Sequence, residues 1–348
     1  VDPDHGSAPH TWWREFQLIW TVTDEYWLSS QLFRSVSGAS HRTGGRAIGM
    51  TMHDDQVDVT TDMVAMLIEE QFPEWGGREI RRLASSTGTV NAIFRIGKDL
   101  SARFPLRPAD ADEALAILEA EARASAELAQ VSRFPVPRPV ALGKPGAGYP
   151  MPWSVQTWLP GTIAFDADPS GSDAFAEDLA AFIAALRDAG TRGRRFNGDN
   201  RGGVIAHHDA WMAECFEESE GLLDVPRLRR MWNHFRELPR EDADVMSHGD
   251  LIPGNVLVTG DRLGGVLDTG GFGPADPALD LVSAWHLLEP GPREVLRRAL
   301  GCGDLEWERG KAWAFEQAMG LVWYYARSNP TMSAMGRRTL DRILQSMG

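Results

Sequence analysis

The spacing of apolar residues along this chain passes from irregular to helical, then to alternating, then back to helical, and each change marks a boundary. Over residues 1–49, Trp12, Trp13, Trp20 and Trp27 crowd into a stretch with no helical or strand period, which runs into the Gly-, Arg- and Ser-rich segment Gly38 to Gly49. This reads as an N-terminal extension, either a translated upstream region or a flexible, disordered arm. Met63, Val64, Leu67, Ile68 and Phe72 then recur at helical spacing, which sets the expected start of compact structure near residue 50.

From Ile80 the period falls to two. Val90, Ala92, Phe94 and Ile96 alternate with Asn91, Ile93 and Arg95, and the turn Gly97-Lys98-Asp99 leads into a further strand, Leu100 to Phe104. The small, polar loop Ser85 to Thr89 around Gly88 reads either as a phosphate cradle or as a plain hairpin turn. A helix is predicted over Asp112 to Gln130, with Leu115, Leu118, Ala122 and Ala129 on one face, and the prolines of Phe134 to Pro139 stop it. Strand-like runs Val140 to Gly143 and Trp153 to Leu159 precede the break at Pro160-Gly161. Beyond it Phe175, Leu179, Phe182, Ile183 and Leu186 share a helical face, further helical stretches begin near His208 and Pro226, and Trp307 to Arg327 and Ser333 to Ser346 close the chain. The predicted fold is α+β and two-lobed: a β-rich N-lobe over 50–160 and a helical C-lobe over 161–348 with one strand pair set into it.

Composition narrows the chemistry. With 43% apolar and 24% charged residues the chain is of the ordinary globular kind. It has no long apolar run and no pattern of a secretory signal, so a cytoplasmic location without a membrane partner is the expectation. Cys215 and Cys302 stand far apart with no second ligand at metal-like spacing, which points to neither a disulfide nor zinc. A formal charge of −14 argues against nucleic acid, whose binding rests on Lys and Arg neutralising phosphates. It suits cationic ligands, although solubility alone accounts for such a balance equally well.

Ser247-His248-Gly249-Asp250-Leu251-Ile252-Pro253-Gly254-Asn255 carries the spacing His-x-Asp-Leu-x-x-x-Asn of a kinase catalytic loop. Phosphoryl transfer explains that spacing. One carboxylate must accept or orient the hydroxyl proton, while a neutral amide oxygen nearby can bind Mg2+ without competing for that proton. Asp250 suits the first task and Asn255 the second. Asp268, beyond the hairpin Val256 to Leu267 and followed by Thr269-Gly270-Gly271, supplies a second metal ligand, and Mg2+ usually takes only one or two protein carboxylates. Arg103, on the strand face opposite Leu100, Ala102 and Phe104, stands where kinases carry a phosphate-pairing lysine, with Glu121 of the next helix as its expected partner. Both also read as solvated surface charges.

Val245 to Leu281, including His-Gly-Asp-Leu-Ile-Pro-Gly-Asn-Val-Leu-Val and Asp-Pro-Ala-Leu-Asp-Leu, resembles the signature of the aminoglycoside phosphotransferase family, and a weaker likeness runs from about residue 60 to 330. The resemblance implies a protein-kinase-like fold with ATP or GTP between the lobes, Mg2+, and a hydroxylated, cationic acceptor of the aminoglycoside type. It implies Asp250 as the catalytic Asp and Asn255 and Asp268 as metal ligands. It also implies an inter-lobe hinge over Trp153 to Gly161, where backbone groups around Trp158 would meet the adenine edge; Trp158 itself reads equally as core. Departures are Ile252, where many relatives carry His, and Thr269, where Phe is common. Asp276-Pro277 is expected to open a helix that, with Asp280, buttresses the catalytic loop. Glu217 and Glu218, in the acidic stretch Glu214 to Asp224, are candidate ammonium contacts or a plain solvated face. A macrolide, a peptide antibiotic or an alcohol of the choline or homoserine type remains open as acceptor, as does a pseudokinase that binds nucleotide without transfer.

Overall fold

The computed structural model describes residues 57–83, 91–198 and 200–346, so the extension over 1–49 and the loop at Gly88 lie outside the described residues. Thr60 caps α1 (Thr61–Gln71) by accepting the Met63 amide at 3.2 Å, and the helix turns Val64, Leu67 and Ile68 inward. They meet one face of a five-stranded antiparallel sheet made of β1 (Ile80–Arg82), β2 (Asn91–Ile96), β3 (Leu100–Pro105), β4 (Pro139–Gly143) and β5 (Trp153–Thr157), in the order β1-β2-β3-β5-β4. The period of two is real: Ala92, Phe94 and Ile96 lie opposite Phe104, Ala102 and Leu100, all buried. The Phe104 ring stacks on Trp153 at 4.8 Å. At Gly143 a Cβ would come within 2.0 Å of the Trp153 indole, so only glycine lets β4 close on β5. Arg103, one residue out of phase and paired with Ile93 and Ser154, is thereby aimed at the other face.

That other face is covered in part by α2 (Ala111–Val131), whose first amides are accepted by Asp110. Then the chain becomes mainly helical, through α3 (Ala164–Ala167), α4 (Asp173–Asp188), α5 (Asp209–Glu218), α6 (Val225–Phe235), α7 (Val282–Leu287), α8 (Pro290–Leu300), α9 (Asp304–Tyr324) and α10 (Pro330–Gln345). Helix α9 is buried on every side over Trp313, Ala314, Phe315, Ala318 and Met319, the mark of a helix that runs through a core rather than over it. Its buried polar residues, Arg309, Lys311, Glu316 and Gln317, therefore need partners inside the protein.

Two small sheets sit in this helical part. One joins β6 (Thr162–Ile163), β8 (Val256–Thr259) and β9 (Arg262–Val266); the other pairs β7 (Val245–Ser247) with β10 (Gly273–Ala275), Gly273 opposite Ser247. The catalytic-loop motif leaves β7 and the Asp268 turn enters β10, so this one antiparallel pair brings the two motifs side by side.

The helix predicted from Asp276-Pro277 starts later than expected. A short turn at Leu279–Leu281 precedes α7, and the Asp276 carboxylate, although it accepts the Ala278 amide at 3.0 Å, is drawn into the core by Arg309 and the Trp313 indole. Arg309 is itself satisfied by the carbonyls of Leu238, Pro239 and Gly203. Replacing Arg309 by Met strands a buried carboxylate, and a loss of about 3–5 kcal/mol is expected in urea unfolding.

Candidate active site

Strand β7 leads directly into His248 and Gly249, whose amides both donate to the Asp280 carboxylate at 2.9 Å. Gly249 takes a φ of +85, open to glycine without strain. The His248 imidazole accepts the Asp250 amide on Nδ1 at 3.2 Å and donates from Nε2 to the Leu267 carbonyl at 2.9 Å, which requires a neutral ring with its hydrogen on Nε2. One buried side chain thus ties the loop to the strand end just before Asp268, and the Leu267 amide closes the same join on the Asn255 carbonyl at 2.7 Å.

On this frame the Asp250 carboxylate is held from three directions. Its Oδ1 accepts from Gln317 at 2.9 Å and Arg201 at 3.1 Å, and its Oδ2 accepts from Asn255 Nδ2 at 2.9 Å. Asn255 Nδ2 also donates to the Asp250 carbonyl at 3.0 Å, so both amide hydrogens are engaged and Oδ1 is left as an acceptor. Behind Arg201 lies Glu316 at 3.9 Å, which in turn meets His208 at 2.9 Å.

Asp268 occupies the left-handed region at φ 55, ψ 54, which Asp tolerates better than most residues. Arg103 donates to its Oδ1 at 2.9 Å. The ion partner of Arg103 is therefore Asp268 rather than the expected Glu121. Glu121 instead lies along the turn: a Cβ on Gly270 would stand 2.9 Å from its Cγ. One helical turn on, Ser125 accepts the Thr269 hydroxyl at 2.9 Å, so the Asp-Thr-Gly segment is docked on α2. Burial alone would lower the pKa of Arg103, but Asp268 and Glu121 outweigh it and hold it above its usual value. Burial pushes Glu121 up from the ordinary carboxylate range against the pull of Arg103.

Other predicted residues fall away from this cluster. The Trp158 amide donates to the Asp99 carbonyl at 2.8 Å and its ring lies under Arg95, so that donor is not offered to a base. Glu217 and Glu218 are exposed at the far end of α5; Glu217 is nine residues past His208, about 13 Å along the axis and half a turn round. Arg201, Glu316, Gln317 and His208 were not anticipated. Arg201 sits in an irregular loop without a motif, His208 stands just before α5, and the signal for the other two was a polar pair, Glu316-Gln317, inside the apolar run Ala312 to Trp323.

In the comparison to known families, the phosphotransferase enzyme family matches residues 80–313, more than half of the chain. The chain belongs to this family. It is a phosphotransferase acting on hydroxyl groups, with the two-lobed protein-kinase-like fold. Among solved structures, the GDP complex of an aminoglycoside 2′-phosphotransferase IIIa point mutant superposes with a TM-score of 0.64 at 19% identity over 83% of this chain and 99% of that one. The GDP and kanamycin complex of a 2″-phosphotransferase gives 0.62 at 19% identity over 81% and 98%. The macrolide 2′-phosphotransferase apoenzyme from Brachybacterium faecium gives 0.54 at 19% identity over 80% and 98%. A search of curated proteins finds no match. No helix among the described residues of this phosphotransferase is long and apolar enough to cross a membrane.

The Asp280 contacts make a direct test. Asp280→Ala leaves the buried His248 amide without its acceptor, at about 1–3 kcal/mol, and the Gly249 amide with the Ser247 hydroxyl alone, so turnover is expected to fall together with the thermal midpoint.

Proposed function

We propose that this phosphotransferase moves the γ-phosphate of ATP or GTP onto a hydroxyl of a small molecule, with an aminoglycoside-type antibiotic as the first acceptor to test. The observation that carries the reading is the carboxylate of Asp250 fixed by Asn255 Nδ2, which leaves the Asn255 amide oxygen out of those bonds, with Asp268 held at the neighbouring strand end. The donor would lie between the N-lobe of 50–160 and the C-lobe of 161–348, and a nucleoside triphosphate donor goes with a cytoplasmic location. In the reaction the acceptor oxygen forms a bond to the γ-phosphorus while the bond from that phosphorus to the β–γ bridging oxygen breaks. The acceptor proton passes to Asp250 and then to solvent, and ADP or GDP leaves. Arg103 gives one N–H to Asp268 and keeps others of its planar fork for phosphate oxygens.

Mg2+ fits the residues present. Asn255 Oδ1 is turned away from its own hydrogen bonds, and Asp268 Oδ2 makes none among the described residues, which leaves two hard oxygen donors for an ion that completes its shell with phosphate and water. Bound there, the ion would neutralise charge on the β- and γ-phosphates.

A net charge of −14 is compatible with a cationic acceptor as it is with solubility alone. A second reading, an acceptor with an apolar body such as a macrolide, is favoured by Ile252: two residues from Asp250, it packs with Leu321, Tyr325, Met332 and Met335, and Tyr324 lies against the same cluster. Nucleotide turnover measured with kanamycin, erythromycin and choline separates these readings. Asp250→Asn keeps size and shape but removes the carboxylate, so kcat is expected to fall about a hundred- to ten-thousand-fold with nucleotide affinity little changed. A folded variant with near-native turnover defeats the mechanism. Titration calorimetry should show nucleotide binding weakened when Mg2+ is withheld; equal affinity removes Asn255 and Asp268 as metal ligands.

A further inference from the structure

The contact between Gln317 and Asp250 is the last link of a longer chain. An ionised carboxylate only accepts, so Gln317 must present its Nε2 to Asp250 at 2.9 Å, and its Oε1 then faces His286 Nε2 at 3.0 Å. An oxygen there needs a donor, so His286 carries its hydrogen on Nε2. Its bare Nδ1 accepts the Thr339 hydroxyl at 2.8 Å. Three helices contribute one group each: Thr339 from α10, His286 from α7 and Gln317 from α9, and all three are buried. Every donor and acceptor along this path has one consistent direction. Burial pushes the His286 pKa down to about 3; the hydrogen bond to Gln317 opposes this, and the positive charges of Arg201 and Arg342 add to it, so the ring stays neutral and keeps its bare Nδ1 at any working pH.

The two oxygens of the Asp250 carboxylate are unequally used. Oδ1 of Asp250 already accepts from both Gln317 and Arg201, which fills its two sites, whereas among the described residues Oδ2 accepts only from Asn255. We propose that Gln317, set by His286 and Thr339, is a positioning residue that locks Asp250 so that Oδ2 alone meets the acceptor hydroxyl. The proposal rests on the reading of Asp250 as the group that receives the acceptor's proton. A rotation of the carboxylate would exchange the filled and the open oxygen, and displacing a reacting group by about 1 Å costs on the order of a hundredfold in rate.

The full-length chain is tested as wild type and as Gln317→Leu, Thr339→Val and Asp250→Asn, with hydrolysis of Mg2+·ATP, water serving as the acceptor, and 15N-histidine NMR. Gln317→Leu is expected to lower kcat about ten- to a hundredfold with the KM for Mg2+·ATP within about twofold, a split that loss of folded protein alone does not produce. Thr339→Val lies two links from Asp250 and keeps the shape of the core, so it stands in if Gln317→Leu does not fold. It frees the His286 tautomer, and a smaller loss of about three- to tenfold is expected. By NMR, wild-type His286 should show a single neutral Nε2–H tautomer from pH 5 to 9, and Thr339→Val a mixture. A folded Gln317→Leu with kcat within about twofold of wild type, while Asp250→Asn is inactive, overturns the positioning role. A His286 that carries its hydrogen on Nδ1, or that titrates in this range, also overturns it, and decides alone where the water reaction is too slow to follow. Undiminished turnover in Asp250→Asn sinks the catalytic reading instead.

Discussion

A core that encloses Asp276, Asp280, Glu316, His286 and Arg309 can stay folded only if each of those groups finds its partners inside the protein, because an unpaired buried charge or amide costs several kcal/mol. In this phosphotransferase the partners are, to a large extent, the active-site segments themselves. The two oxygens of Asp280 are satisfied by the amides of His248 and Gly249, so the catalytic loop serves as the solvation shell of a buried carboxylate. Arg309, held by Asp276, takes the Gly203 carbonyl at 3.0 Å and so anchors the segment that carries Arg201 to the core. Placement of Asp250 is in this sense a by-product of satisfying the core.

The same logic links the sheet to the helical part. Arg103 is aimed across the cleft by strand alternation, and Asp268 is delivered by the pairing of β10 with β7; their ion pair joins elements 165 residues apart. The Thr269 hydroxyl on Ser125 and the close approach of Glu121 to Gly270 fasten the same turn to α2. The residue after Asp268 is thus held by a buried hydrogen bond. Displacing α2 would displace Asp268 with it.

Much of this was legible in the residues. Alternation at Ala92, Phe94 and Ile96, helical spacing at Phe175 to Leu186, and the paired motifs at Asp250 and Asp268 report local geometry, and local geometry is what periodicity encodes. What escaped was set by contacts distant in sequence. Gln317 and His286 stand 67 and 36 positions from Asp250, on helices whose patterns say only that they are buried. The Asp276 carboxylate had the spacing of a helix cap, but Arg309 competes for it from 33 residues away. Glu121 sits on the predicted helix and in the predicted neighbourhood, yet no rule of spacing could tell that Arg103 would reach past it to Asp268. Gly88 and the extension over 1–49 fall outside the described residues, so those two expectations stand where the sequence left them.

That last preference follows from the shape of arginine. A lysine at 103 would present one compact charge that two carboxylates must share, whereas a guanidinium is a planar fork whose N–H groups point in separate directions. One arm meets Asp268 Oδ1 while Glu121 contributes through the field rather than through a bond, as the rise in the Arg103 pKa reflects once burial has been outweighed. Asp268 keeps Oδ2 out of this pair, just as Asn255 keeps Oδ1 out of its bonds to Asp250. Each of the two residues thus holds the frame with one polar atom and keeps one oxygen out of those bonds. An Arg at this position therefore engages Asp268 through one carboxylate oxygen and leaves the other out of the ion pair.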